Sequence, residues 1–200
     1  MKKSIGQIVL FVYGLNEKRT MNGSQNDPIS IQQLARNLAS FAIDRTDLKE
    51  LLAAIPEDND LNLNTVEYEL GILKILSVGW AIAFYMAATD KNKTPLTESF
   101  WEMIQEIAQN ISTLTETTTG TQVNYFAILK ERLDTYVKEM QETPDQTTEP
   151  TAIMGPAFAR ACRAQDDPMA VLTGTKMFTL TLGAVKEYLA SVKIQDITIH

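Results

Sequence analysis

The sequence predicts an all-α protein, one domain of six or seven helices bundled around a central apolar helix. Three observations carry this expectation. Residues 70–88, LGILKILSVGWAIAFYMAA, contain a single charge, Lys74. Five other segments place apolar side chains three and four residues apart, which puts each set on one helix face. The breaks between them hold capping residues, prolines and a glycine, the usual helix start and stop signals.

Taken in order, Ser30 with Gln33 reads as a capping box, and Ile31, Leu34, Leu38 and Phe41 follow on one face. Thr46 is expected to cap a short second helix with the stripe Leu48, Leu51, Leu52 and Ile55, stopped by Pro56. Asn64 with Glu67 is expected to open the long apolar helix, which should run to Thr89. Thr94-Pro95 reads as a cap followed by proline at the first helical position. Phe100, Ile104, Ile107, Ile111 and Leu114 continue that helix until Gly120 breaks it. Phe126, Leu129, Leu133, Tyr136 and Met140 mark the next. Residues 16–28 and 143–151 read as surface loops, the latter with two prolines and no large apolar side chain. A short helix is expected around residues 152–164. Asp167-Pro168 opens the last one, whose stripe is Phe178, Leu182, Val185, Leu189 and Val192. The terminal runs QIVLFVY and ITI suit strand as well as helix.

The 70–88 stretch has the hydropathy of a membrane span. Its context argues otherwise. Amphipathic helices need something apolar to cover, and a helix apolar all round is what a bundle centre requires. Thr173, Thr175, Thr179 and Thr181 in the last helix also suit lipid poorly. No stable span is therefore expected. Gly79, Ala83 and Ala87 recur every four residues and, with Gly174 and Gly183, read as close helix contacts.

Composition narrows the function. The net charge is -7, and the acidic excess is concentrated in residues 51–150. An acidic middle repels phosphate backbones, so nucleic acid is not an expected partner. A lone cysteine, Cys162, cannot form an internal disulfide and suits a reducing compartment. The start, MKKSIGQIVLFVYGL, has two lysines before an apolar run, as a signal peptide would. Gln7 interrupts that run and no clear cleavage site follows, so a cytoplasmic protein is expected.

The sole histidine, His200, removes histidine-based triads and zinc sites from the body of the chain. No phosphate-binding glycine loop or nucleophile elbow is present. Arg160 and Arg163 flank Cys162 and could favour its thiolate. Its position one turn after Phe158 instead predicts a small buried thiol. Asp58 to Glu69 resembles an EF-hand calcium loop in its oxygen-bearing positions. Leu63 stands where that loop needs glycine, however, so an ordinary interhelical loop is expected. Glu102 and Glu106, followed by Glu131 and Asp134, superficially resemble the acidic motifs of all-α nucleotide pyrophosphohydrolases. The first pair has the wrong spacing, and all four point away from the apolar stripes, so they read as solvated. No cofactor and no metal site is expected.

The function expected from these observations is a non-catalytic protein-interaction module, an adaptor, regulator or inhibitor. Its candidate surface is the acidic face bearing Glu102, Glu106, Glu131 and Asp134, and its partner would be another, basic protein. A carboxylate-dependent enzyme or ligand-binding bundle is the alternative, and a membrane-inserting helical protein in its soluble form the third. Self-association is left open.

Overall fold

The computed structural model describes residues 28–142 and 150–195. Seven helices succeed one another within them. They are α1 (Ile31–Ile43), α2 (Thr46–Ala53), α3 (Leu63–Tyr85), α4 (Lys93–Thr119), α5 (Tyr125–Glu142), α6 (Thr151–Ala161) and α7 (Pro168–Ser191). The protein is all-α, as the apolar spacing predicts. The runs QIVLFVY and ITI, His200, the signal-like start and most of both expected loops lie outside the described residues. The sole strand-like feature among the described residues is a parallel bridge between Ile29 and Ile194. There Ile29 N–H donates to Lys193 O at 2.8 Å and Gln195 N–H to Ile29 O at 2.9 Å. It ties the segment leading into α1 to the one leaving α7. Asn37 Nδ2 reinforces the tie by donating to the Tyr188 hydroxyl at 2.6 Å.

α3 touches every other described helix. From Glu69 through Gly79 all its residues are buried except Gly71, and Ala81 and Ile82 follow. A helix without an exposed face can only sit at a centre. It is the one described helix long and apolar enough to cross a membrane, and 67% of its apolar window is buried inside the protein. That burial supports no stable span. One hydrophobic cluster joins Leu34 and Leu38 of α1, Leu70 and Leu73 of α3, Phe100 of α4, Tyr136 of α5, Phe158 of α6 and Phe178 of α7. Burying each such side chain contributes about 1.5–3 kcal/mol.

Close approach at three glycines, Gly79, Gly155 and Gly174, sets the packing, and a Cβ on Gly155 would lie 2.7 Å from the Val171 carbonyl oxygen. A Cβ on Gly79 would lie 2.6 Å from the Trp101 ring, and one on Gly174 would lie 2.6 Å from the Phe158 side chain. Gly183 differs from expectation, because a Cβ there would meet nothing within 4 Å. Ala83 and Ala87 are exposed, so the Gly79–Ala83–Ala87 stripe is a contact at Gly79 alone. The helix ends at Tyr85 rather than Thr89, and its last turn stands at the surface, with Phe84 49% and Tyr85 42% exposed. Met86 folds back into the core.

The caps follow side-chain reach. Ser30 Oγ accepts the Gln33 N–H at 3.1 Å, while the Gln33 side chain turns to Asn37 and leaves the reciprocal half of the box unmade. Before α2, Asp44 accepts the Thr46 N–H at 2.9 Å, so Thr46 is the first helical residue and not the cap. Asn62, not Asn64, caps α3, accepting the Thr65 N–H at 3.2 Å. α4 begins at Lys93, one residue ahead of Thr94, after Asp90 has accepted the Asn92 N–H at 2.8 Å. Gly120 ends α4 at φ 69, in the left-handed region that glycine enters without steric cost. Asp167 caps α7 as predicted, accepting from Met169 and Ala170. The Ala170 N–H, followed by the Asn59 side chain and the Met169 N–H, holds the Asp167 carboxyl below its ordinary range.

Candidate functional site

The four candidate carboxylates are all exposed. Glu102 and Glu106 lie on α4, and Glu131 and Asp134 on α5. Glu98 precedes the first pair at the same four-residue interval and is also exposed, so α4 carries a ridge of three like charges. Its single lysine, Lys93, is turned away, donating to Ala83 O at 2.7 Å and Met86 O at 3.0 Å at the end of α3. On α5 the Glu131 carboxylate lies 3.5 Å from Arg132 Nη1. Among the described residues no three His, Cys, Asp or Glu side chains are placed to hold a metal, so these carboxylates do not converge.

Two ion pairs tie the first turns of α3 to other elements. Glu67 and Glu69 are two positions apart and so point to opposite sides of the helix. Glu67 pairs with Arg45, at the junction of α1 and α2. Glu69, 3% exposed, takes a two-pronged bond from Arg132, with Nε to Oε2 at 2.9 Å and Nη2 to Oε1 at 2.8 Å. Glu69 is thus the far end of the calcium-like pattern, committed to a guanidinium. Leu63, the residue standing in for glycine in that pattern, is the first residue of α3.

One turn on, Lys74 is fully buried. Its Nζ donates to Asp44 O at 2.9 Å and Asp47 Oδ2 at 2.8 Å and lies 4.4 Å from the centre of the Phe41 ring. Two hydrogen bonds and an aromatic face offset the loss of water around the ammonium. The only charge in the apolar stretch therefore fastens α3 to the α1–α2 corner.

A hollow flanks each side of these turns. The first, about 360 Å³, has an apolar floor that includes Leu48, Gly71 and Ile75. Tyr68 and Tyr125 stand in its wall, edge to face with ring centres 6.0 Å apart, and the Arg45–Glu67 pair joins the same lining. Neither tyrosine hydroxyl makes a hydrogen bond among the described residues. Burial and the nearby Glu69 push Tyr68 up to about 12. Burial, then Tyr68 and Glu69, raises Tyr125 as well. Both phenols stay protonated at neutral pH and can donate.

The second hollow, about 480 Å³, is more polar. Glu69, Arg132, Cys162 and Arg163 line it. The Cys162 thiol is buried, and desolvation with Glu69 pushes it up to about 12 against the opposing pull of Arg132. It remains a thiol, as its place after Phe158 predicts. Arg160 does not activate it, being engaged with Glu139. The fully buried Tyr136 hydroxyl has no hydrogen-bond partner among the described residues.

Sequence reasoning located the exposed carboxylates and missed the tyrosine-lined hollow. Its one local signal is Tyr68 beside two carboxylates in an otherwise apolar helix start, which gives no hint of Tyr125 or Arg45. No family model matches this chain, and no curated protein or solved structure matches it either.

Proposed function

We propose that the protein is a non-catalytic interaction module working in the cytoplasm, and that its acidic α4–α5 face receives a basic protein partner. The ridge Glu98–Glu102–Glu106 carries this reading. Like charges four residues apart each destabilise a helix by about 0.2–0.5 kcal/mol. The one cation on that helix is spent capping α3 and leaves the ridge unbalanced within its own element. A feature that costs stability and faces solvent suits a surface that meets an opposite charge. Glu131 and Asp134 add two exposed carboxylates on the next helix. Such a face steers encounter and raises the association rate more than it strengthens the final complex.

The test compares wild type with the triple variant Glu102→Lys, Glu106→Lys, Glu131→Lys as bait in extracts of the source cells. Association of the purified partner is then timed at several salt concentrations. All three positions are exposed, so the variant should keep its helical spectrum and melting temperature. A basic protein retained by wild type should be lost, or should associate at least tenfold more slowly with a flatter salt dependence. Equal capture and equal rates with both baits would remove this face from consideration.

A further inference from the structure

We propose that the hollow beside the first turns of α3 is a binding site for a compact, neutral, mostly apolar molecule carrying one hydrogen-bond acceptor, such as an aromatic ketone. Its volume, about 360 Å³, falls at the small end of the range in which proteins hold small molecules. The floor, from Leu48, Gly71 and Ile75, suits an apolar body. Tyr125 is 8% exposed, and neither its hydroxyl nor that of Tyr68 bonds to another described residue, so both phenols in the lining are available to donate. Charge sets the remaining limit. Arg45 and Glu67 neutralise each other in the lining, and Asp44 lies beside them. An anionic ligand would be taken out of water beside the Asp44 carboxylate, with the Arg45 charge already matched by Glu67, at considerable cost.

Gly71 supplies an independent argument. Glycine inside a helix is unfavourable relative to alanine, and such a residue usually serves a close contact. At Gly79 it does. At Gly71 an added Cβ would meet only Leu48 Cδ2, at 3.9 Å, an ordinary contact distance. Packing does not demand glycine there, and its missing side chain widens the hollow.

The inference is independent of the acidic face, so either can fail alone. Acetophenone, ethylbenzene and benzoate share a ring and differ in having a neutral acceptor, none, or a charge. Each is titrated to millimolar concentration into the full-length protein, with backbone amide shifts recorded. Acetophenone should move the Gly71, Leu48 and Tyr125 resonances and bind more tightly than the other two. Gly71→Leu, which places a side chain in the hollow, should weaken acetophenone at least tenfold. Tyr125→Phe removes only the hydroxyl. It should weaken acetophenone about two- to tenfold, the worth of one hydrogen bond, and leave ethylbenzene unchanged. It also keeps the test open if the leucine variant misfolds. Absence of acetophenone binding, shifts confined elsewhere, a preference for benzoate, or equal binding by folded Gly71→Leu would each overturn the assignment.

Discussion

The two halves of α3 belong to one helix and are built differently. Its first turns, residues 63–71, hold two carboxylates paired with arginines from other elements, a tyrosine set edge to face with another, and a hollow on either side. The turns from Ile72 to Ile82 are closely packed, with Trp101 against Gly79 and Trp80 set edge to face with both Tyr136 and Phe178. Lys74 marks the border, buried and bonded back toward the α1–α2 corner. One hydropathy average spans both halves and hides the difference. A buried helix thus has no single environment. Where charge enters the core it must bring its partners along, and the spacing those partners impose leaves room that pure side-chain interdigitation would close.

The largest expected effect lies in the charged half. Arg132→Ala strands Glu69 as a buried carboxylate without its counter-charge, which should cost about 3–5 kcal/mol in urea unfolding. Replacing both partners by leucine should cost far less than the two single changes together, because the pair repays its own desolvation only narrowly. Additive losses would show that the two side chains act separately and that the paired geometry does not govern this half.

In the packed half the expected loss is smaller. Gly79→Leu must displace the Trp101 ring and should destabilise by about 1–3 kcal/mol, the usual range for overpacking. Unchanged melting would mean that Trp101 moves aside freely and that this half is no tighter than the other.

The helices themselves were legible in the sequence, because core stripes are set by local periodicity. Leu34, Leu38, Phe100, Ile104, Leu129, Phe178 and Val185 are buried where the spacing puts them. Strong stop and start signals also read true, Gly120 and Asp167-Pro168 among them. Caps were less legible where two oxygen-bearing side chains compete within three residues, as Asn62 and Asn64 do before α3. The exposed carboxylates were visible because charged residues opposite an apolar stripe have nowhere else to go. The tyrosine-lined hollow was not, since Arg45, Tyr68 and Tyr125 come from separate elements and meet only through the tertiary fold. Glu69 and Lys74 show the same limit. Each was conspicuous as a residue, yet Arg132 and Asp47 lie 63 and 27 positions away.

The smallest expected effect sharpens the contrast most directly, because it makes one kind of change in each half with opposite signs. At Gly79 even a methyl group meets a ring at 2.6 Å, so added bulk there should destabilise. At Gly71 the same methyl finds Leu48 at 3.9 Å and otherwise open space. Gly71→Ala should then stabilise by about 0.5–1 kcal/mol, the backbone cost that glycine carries inside a helix. In a chain of this length that corresponds to a rise in melting temperature of about 1–4 °C. The added methyl should also weaken acetophenone slightly, by shallowing the hollow. A stabilised variant with acetophenone binding reduced would mean that glycine is kept at this position for the space it leaves. A destabilised one would place Gly71 with Gly79 as a packing residue, and the two halves of α3 would then differ in their charges alone.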